Sequence, residues 1–445
     1  MRLAVWSPLP PSPSGIADYA AEQLPALALH ASVDAVVEDP AAVDPAVAEK
    51  FSLREPGGGD APDLDLYQIG NSPPHAYVYR AALARPGVVL LHDVSLHHLV
   101  LAETVERGDV SGYLREMRRA HGERGSFVGR QVARALGGEL LPALFPLNDR
   151  VLESSLAVVS LTQSGARLAA SRLPGRPVMH LPHHLALPLD PVPTRNEARA
   201  ALGLSEDALL VTAPGLATAS KRLEVAIRCV ARLRQAFPAL RLVVAGAADP
   251  CLPLAAWARA AGLGPALLVT GRLGMGDFVR HLAAADIVLC LRFPSHGEIS
   301  GALVRALGVG RPALVTAGTP AHEEFPEGIV APVDPGPYEE PELLALLARL
   351  LADAALRATM GELARRHLLG RHGLPATAEL LARFLEGVLA QKPALLARLA
   401  CDRAADGTRL SAFVEEARRA ARELGLSDLR LGVKPLFAEI AGERP

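Results

Sequence analysis

Lysine is almost missing from this 445-residue chain. Only Lys50, Lys221, Lys392 and Lys434 occur, and arginine supplies nearly all of the basic charge. With Ala and Leu abundant, that skew reads as genome composition rather than function. Aromatic residues make up 4% and the formal net charge is −2, so a nucleic acid would find neither a basic surface nor stacking platforms. Cysteine is scarce as well. Cys229, Cys251, Cys290 and Cys401 show no metal-ligand spacing, and Cys229 and Cys290 lie in apolar runs as packed thiols. A reducing, cytoplasmic setting is expected. No apolar run approaches the roughly 20 residues needed to span a bilayer, and no signal peptide is expected ahead of Met1–Trp6, which is already a fold element. The chain also lacks a Gly-x-Ser-x-Gly elbow, a phosphate-binding P-loop and a dinucleotide fingerprint after the first strand. Hydrolase, NTPase and nicotinamide readings lose ground accordingly.

What is present is core material: half the residues are hydrophobic. A chain of this length exceeds one ordinary domain. Short apolar strands alternate with longer helical stretches. The clearest strands are Leu3–Trp6, Val88–Leu91, Ala157–Leu161, Leu209–Ala213, Leu240–Ala245, Ala266–Val269, Ile287–Leu291 and Ala313–Val315. Near-continuous apolar strands separated by helices predict an α/β chain with parallel sheets covered on both faces. Pro188, Pro191 and Pro193 mark an interdomain linker, since such a run continues neither a helix nor a central strand. The expected organisation is two doubly wound, Rossmann-like domains, residues 1–187 and 195–375, facing each other across a cleft. A helical extension, residues 376–445, follows, with helices over Leu380–Leu399 and Leu410–Leu424.

Ligands of parallel sheets bind at the carboxyl ends of the strands, so the loops after the strands are the candidates. After Leu291 comes Arg292-Phe-Pro-Ser-His-Gly-Glu298-Ile299-Ser300-Gly301, with a helix opening near Ser300 and stopping at Gly308–Gly310. First-turn amides of a helix lack partners inside it and the dipole is positive there, so a phosphate fits at the helix start while Glu298 bonds nearby hydroxyls. Phosphate plus hydroxyls suggests a nucleotide-sugar. After the first strand, a proline-rich loop leads to Gly15, Asp18 and a helix running toward Leu29, kinked or broken at Pro25. Asp18 serves either the helix dipole or a ligand. His92 and Asp93 follow Leu91: His92 either meets a sugar hydroxyl or a developing charge, or the two form a helix-capping pair. Lys221 and Arg222, where another helix begins, either clamp a diphosphate or are solvated surface charges. Arg272 is a weaker candidate for the same pocket. Of His97 and His98, one faces the core and the other solvent. The basic segment Arg115–Arg134 either lies against anionic lipid or forms a solvated face. No metal site is expected, because no carboxylate or cysteine sits at ligand spacing near the histidines.

Together these loops resemble the GT-B glycosyltransferases, and within them the large retaining family 4, over nearly the whole chain to about Leu385. Ser14–Tyr19 looks like that family's glycine loop, Leu91–Asp93 its amino-domain His motif and Leu181–His184 its end-of-domain segment. Lys221-Arg222 resembles its diphosphate-binding region, and Glu298–Pro312 its donor-sugar motif. The resemblance implies that Glu298 bonds the transferred sugar, amides near Ile299–Gly301 hold the diphosphate and His92 meets the sugar from the other domain. Lys221 and Arg222 would neutralise the leaving group, removing the need for a metal. It also implies retention by front-face attack, with the leaving phosphate taking the acceptor proton. The family usually carries a second Glu that binds the ribose; Arg305 holds that place here, and an Arg common after the strand-end Gly is Leu216. Arg305 cannot accept hydrogen bonds from a diol. The implied activity is transfer of a hexose-type sugar from a nucleoside-diphosphate donor to a glycan, lipid-linked or small-molecule acceptor. The other reading is a degenerate module that binds a nucleotide-sugar or a protein partner without catalysis.

Overall fold

Two parallel sheets carry the fold of the computed structural model, which describes the backbone of residues 1–423 and side chains through residue 404. The first sheet contains β1 (Arg2–Trp6), β2 (Ser32–Val36), β3 (Ser52–Arg54), β4 (Leu64–Ile69), β5 (Val88–Leu91), β6 (Ala157–Ser160) and β7 (Val178–His180). Its order is β3-β2-β1-β4-β5-β6-β7. The second contains β8 (Leu209–Pro214), β9 (Leu240–Ala245), β10 (Leu267–Val269), β11 (Ile287–Cys290), β12 (Ala313–Thr316) and β13 (Val330–Val333). Its order is β10-β9-β8-β11-β12-β13. Each sheet therefore reverses its winding direction once, between β1 and β4 and between β8 and β11. Crevices for ligands open at such reversals.

All four residues of β5 and all four of β6 are buried, as strands covered on both faces require. The strands absent from the expected set are β2, β3, β4, β7 and β13. In β4 the sequence Leu-Asp-Leu-Tyr-Gln-Ile mixes polar residues into a strand that is buried throughout. Asp65 is satisfied there by Trp6 Nε1 and Arg85 Nη2, and Gln68 bonds Gln23 and His92. Buried polar groups are tolerated when hydrogen-bonded.

The proline linker ends at Thr194, which caps the next helix, Arg195–Ala201, in a reciprocal capping box with Glu197. Arg195 and Arg199 of that helix both pair with Asp286, the residue before β11, which also accepts from the Leu210 amide of β8. The first helix, Gly15–Leu27, runs through Pro25 instead of breaking there and stops short of Leu29.

Residues Met1–Glu386 form one compact unit, and a second begins at Gly387. The helix starting at Leu374 continues unbroken to Glu423, across Pro393, where two helices had been expected. The expected extension beyond residue 423 lies outside the described residues. No described helix is long and apolar enough to cross a membrane.

Candidate active site

The loops leaving β1, β4 and β5 face those leaving β8, β10 and β11 across a cleft of about 600 Å³. Gly15, His92, Lys221, Arg272, Glu298, Ile299, Ser300, Gly301 and Arg305 all line it. Arg222 does not.

The β11 loop is built around Glu298. Its Oε1 accepts from Arg292 Nη1 at 2.7 Å, and its Oε2 accepts from the His296 amide at 2.7 Å and Ser295 Oγ at 3.2 Å. This network folds the loop so that the helix Gly301–Gly308 begins at the cleft wall. Ser300 caps that helix by accepting from the Leu303 amide. The Leu303 amide is taken by this cap, and the Gly301 and Ala302 amides have no hydrogen-bond partner among the described residues.

On the β8 loop, Gly215 takes a left-handed conformation (φ 79°). The turn brings Lys221 back over the strand end, where its Nζ donates to the Pro214 carbonyl. Burial, and secondarily the neighbouring Arg292 charge, lower the Lys221 pKa to about 7. Arg222, expected to act beside it, is corrected by the structure. It occupies a left-handed position (φ 56°) that turns its side chain away to a bidentate pair with buried Glu339. Its role is to tie the helix Leu223–Leu233 to the helix Glu339–Ala352. Arg272 reaches the opposite wall, 3.5 Å from the Pro11 carbonyl.

The amino-terminal wall is a file of buried rings and acids. Ser14 caps the first helix, so Gly15 opens it at the cleft. His92 Nε2 lies 3.1 Å from Gln68 Oε1, and its ring meets Tyr19 edge-on at 4.7 Å. Burial holds the His92 pKa well below the usual histidine value, so the ring is neutral. Asp93 Oδ2 accepts from the Asn71 amide at 2.7 Å. Burial, then the negative charge of Glu298, raise the Asp93 pKa to about 7. His97 is buried and His98 exposed, as expected of that pair.

Arg305 projects into the cleft and crosses it, its Nη2 donating to Glu22 Oε1 at 2.5 Å. Glu22 also accepts from His184 Nε2 at 3.0 Å. Glu22 and Asn71 are residues of this region that the sequence did not single out, and Asp93 was named there only beside His92. Asn71 sits just past a strand and was findable by position; nothing in the sequence announces Glu22. The two walls also touch directly. The Val94 and Ser95 amides donate to the His296 carbonyl at 3.0 and 2.8 Å. Gly297 is pressed so close that a Cβ there would lie 2.5 Å from Val94 Cβ.

The chemistry on offer is anion binding at the β8 and β11 loops, hydroxyl binding at Glu298 and His92, and an acid of unusual pKa between them. Among the described residues, no group of three or more His, Cys, Asp or Glu could hold a metal ion.

Residues 194–367 match the family described as Glycosyl transferases group 1. No curated protein matches the sequence. Similar solved structures include WaaG, a glycosyltransferase involved in lipopolysaccharide biosynthesis (18% identity, TM-score 0.56, covering 86% of this chain and 100% of that one). HepE of Anabaena, solved with UDP-glucose, is 16% identical with TM-score 0.59, over 87% of this chain and 100% of that one. Sucrose-phosphate synthase of Thermosynechococcus elongatus is 16% identical with TM-score 0.59, over 87% and 99%. Each covers 86–87% of this chain with a TM-score above 0.5, and the fold is GT-B.

Proposed function

We propose that this chain, with its group 1 glycosyl transferase domain in a GT-B framework, is a retaining, metal-independent hexosyltransferase. Residues 195–375 would take the nucleoside-diphosphate sugar, and residues 1–187 would present the acceptor. The observation that carries the reading is the convergence of Lys221, Arg292 and the start of the Gly301 helix on one wall, opposite His92. Anion donors and a cation cluster at a helix start suit a diphosphate. Glu298 retains lone pairs for a sugar hydroxyl, and the neutral His92 ring can bond another. HepE was solved with UDP-glucose, which makes a UDP-sugar the first donor to try.

A thermal-shift screen against UDP-, GDP-, ADP- and dTDP-sugars tests this, since a ligand that binds the native state raises Tm by mass action. The right donor should raise it most, and none doing so would sink the reading. Anomeric configuration of the product, followed by NMR, tests retention; activity persisting in EDTA tests metal independence.

The degenerate module keeps one observation in its favour: both oxygens of Glu298 already have partners. Donor binding without slow donor hydrolysis would select it. A cytoplasmic setting with contact to the membrane's inner face belongs to the same reading. The Val110–Val132 helix is interrupted at Gly122, and Arg118 and Arg119 pair with Glu123 and Glu153. Phe127 on this helix, and Leu136, Leu140 and Leu144 after it, are nevertheless exposed. Sedimentation with vesicles containing anionic lipid tests that contact.

A further inference from the structure

Three carboxyl groups line the cleft, and the charges around them divide it into two ends. Asp93 and Glu298 act on each other beside Arg292. Asp18 stands apart, and the charges bearing on it are Arg305, Glu22 and Arg272. It also differs in its bonding. Glu298 accepts from Arg292, Ser295 and the His296 amide, and Asp93 from the Asn71 amide. The half-buried Asp18 carboxylate has no hydrogen-bond partner among the described residues.

Neither arginine pairs with it. Arg305 donates to Glu22 and to the Gly301 carbonyl, and Arg272 Nη2 lies 3.5 Å from the Pro11 carbonyl. The helix dipole does not account for the side chain either. Ser14 already caps the helix Gly15–Leu27 by accepting from the Ile16 amide, and Asp18, a turn further on, bonds none of its amides. Burial raises the Asp18 pKa and Glu22 adds to the rise, while Arg305 and Arg272 favour the carboxylate. An acid in the field of two cations, with its lone pairs open, is set to accept from a ligand.

Its position says from which part. The diphosphate belongs at Lys221, Arg292 and the start of the Gly301 helix. Leu273, Met275 and Phe278, which follow Arg272, give the same cleft an apolar stretch that suits a flat base. Asp18 feels both Arg272, at that stretch, and Arg305, on the Gly301 helix, so it lies between base and diphosphate. Resting on the glycosyl-transfer reading above, we propose that Asp18 recognises the donor's ribose, its two oxygens accepting from the 2′- and 3′-hydroxyls. Other acceptors fit less well. Arg305 has only donors to offer. His92 has one open ring nitrogen, Nδ1, which takes a single hydroxyl, and its Nε2 is engaged with Gln68. Asp93 is held at the Glu298 end. Both walls then select the donor, although one of them holds its diphosphate.

The test is calorimetry on the full-length protein with UDP, GDP and ADP, each against its 2′-deoxy and 3′-deoxy counterparts. Wild type should bind the ribo form of its preferred nucleotide about tenfold or more tighter than either deoxy form, the scale of a hydrogen bond to a charged acceptor. Asp18→Ala should bind the ribo form about as weakly as wild type binds the deoxy forms, with the preference gone. Asp18→Asn, which keeps one acceptor oxygen, should fall between. An Asp18→Ala protein that keeps the wild-type preference overturns the proposal, whether at full affinity or with all forms weakened alike, as loss of a helix-dipole partner would do. So does wild type that is indifferent to the hydroxyls or prefers a deoxy form, which needs no variant to fold. Wild type that binds none of the nucleotides sinks the transferase reading itself and removes this proposal with it.

Discussion

Arg305 and Glu22 join the two walls of the cleft through a 2.5 Å ion pair, with the Arg305 side chain 8% exposed and that of Glu22 20% exposed. The cation that replaces an expected acid is therefore neutralised from the opposite sheet, and Glu22 is held below its usual pKa, against its own burial, by His184 and Arg305. Arg305→Ala should destabilise the fold by about 2 kcal/mol, the scale of a lost hydrogen bond to a charged group. Arg305→Glu, which sets two acids face to face, should cost more, and the swap Arg305→Glu/Glu22→Arg should recover part of the loss. Urea unfolding of wild type, Arg305→Glu, Glu22→Arg and the swap reads this coupling; strict additivity would show that the pair contributes nothing.

On the proposed function, Lys221 should set the pH dependence of donor binding. Its pKa is near 7 in the free protein, and an arriving diphosphate favours the charged form. Nucleotide binding at pH 8 should therefore take up a proton, and affinity for UDP should weaken as pH rises from 6.5 to 8.5. Titration calorimetry in buffers of differing ionisation enthalpy measures the uptake. Lys221→Ala should abolish it and weaken UDP binding by about tenfold or more.

Arg222 should separate stability from binding. Removing it leaves Glu339 buried without its partner, a change that costs about 3–5 kcal/mol for fully buried pairs and less here, where the Arg222 side chain is one-third exposed. Arg222→Ala should lower Tm by several degrees with UDP affinity unchanged. A tenfold loss of affinity at full stability would restore it to the site.

Acid should loosen the amino-terminal sheet before carboxylates titrate. His75 and His97 are buried with pKa values lowered to about 4 by burial. Above about pH 6.5 each is neutral in both states. Between 6.5 and 4 the unfolded chain takes up protons that the folded chain refuses, so stability falls as pH drops through that window. The loss approaches about 3 kcal/mol for His75 at the lower end. Denaturation midpoints at pH 7.5 and 5.0 should differ accordingly, and His75→Asn or His97→Asn, if folded, should flatten the difference.

Gly297 is the contact point of the two walls, with a left-handed φ of 81° and Val94 against it. Gly297→Ala adds about 1–2 kcal/mol of backbone strain as well as the collision. Amide exchange at Val94 and Ser95 should be faster than in the wild type, and donor turnover should drop at least tenfold.

The sequence made the central strands legible because β5 and β11 are apolar end to end and β6, β8 and β9 nearly so, each broken by a single polar residue. It hid β4 because Asp65 and Gln68 are satisfied by partners far along the chain. Gln68 waits on Gln23, 45 residues earlier. β7 is too short to show a period, and β13 contains Pro332. The β11 loop was readable because turn residues, one acid and a helix start fall within ten positions. Arg222 misled for a local reason: adjacent residues at a left-handed turn point in opposite directions, and Glu339 lies 117 positions away. Glu22 was invisible because a surface-type residue on an amphipathic helix gives no hint that a second sheet will cover it.

The bonds from Val94 and Ser95 to His296 have a consequence for how such a chain can diverge. They use amides and a carbonyl that every residue except proline supplies. Side chains along both loops can therefore drift, and donor or acceptor preference with them, while the spacing between the walls is inherited unchanged. Gly297 is sensitive to mutation in that junction, and through it a single methyl group would be felt on both sides of the cleft.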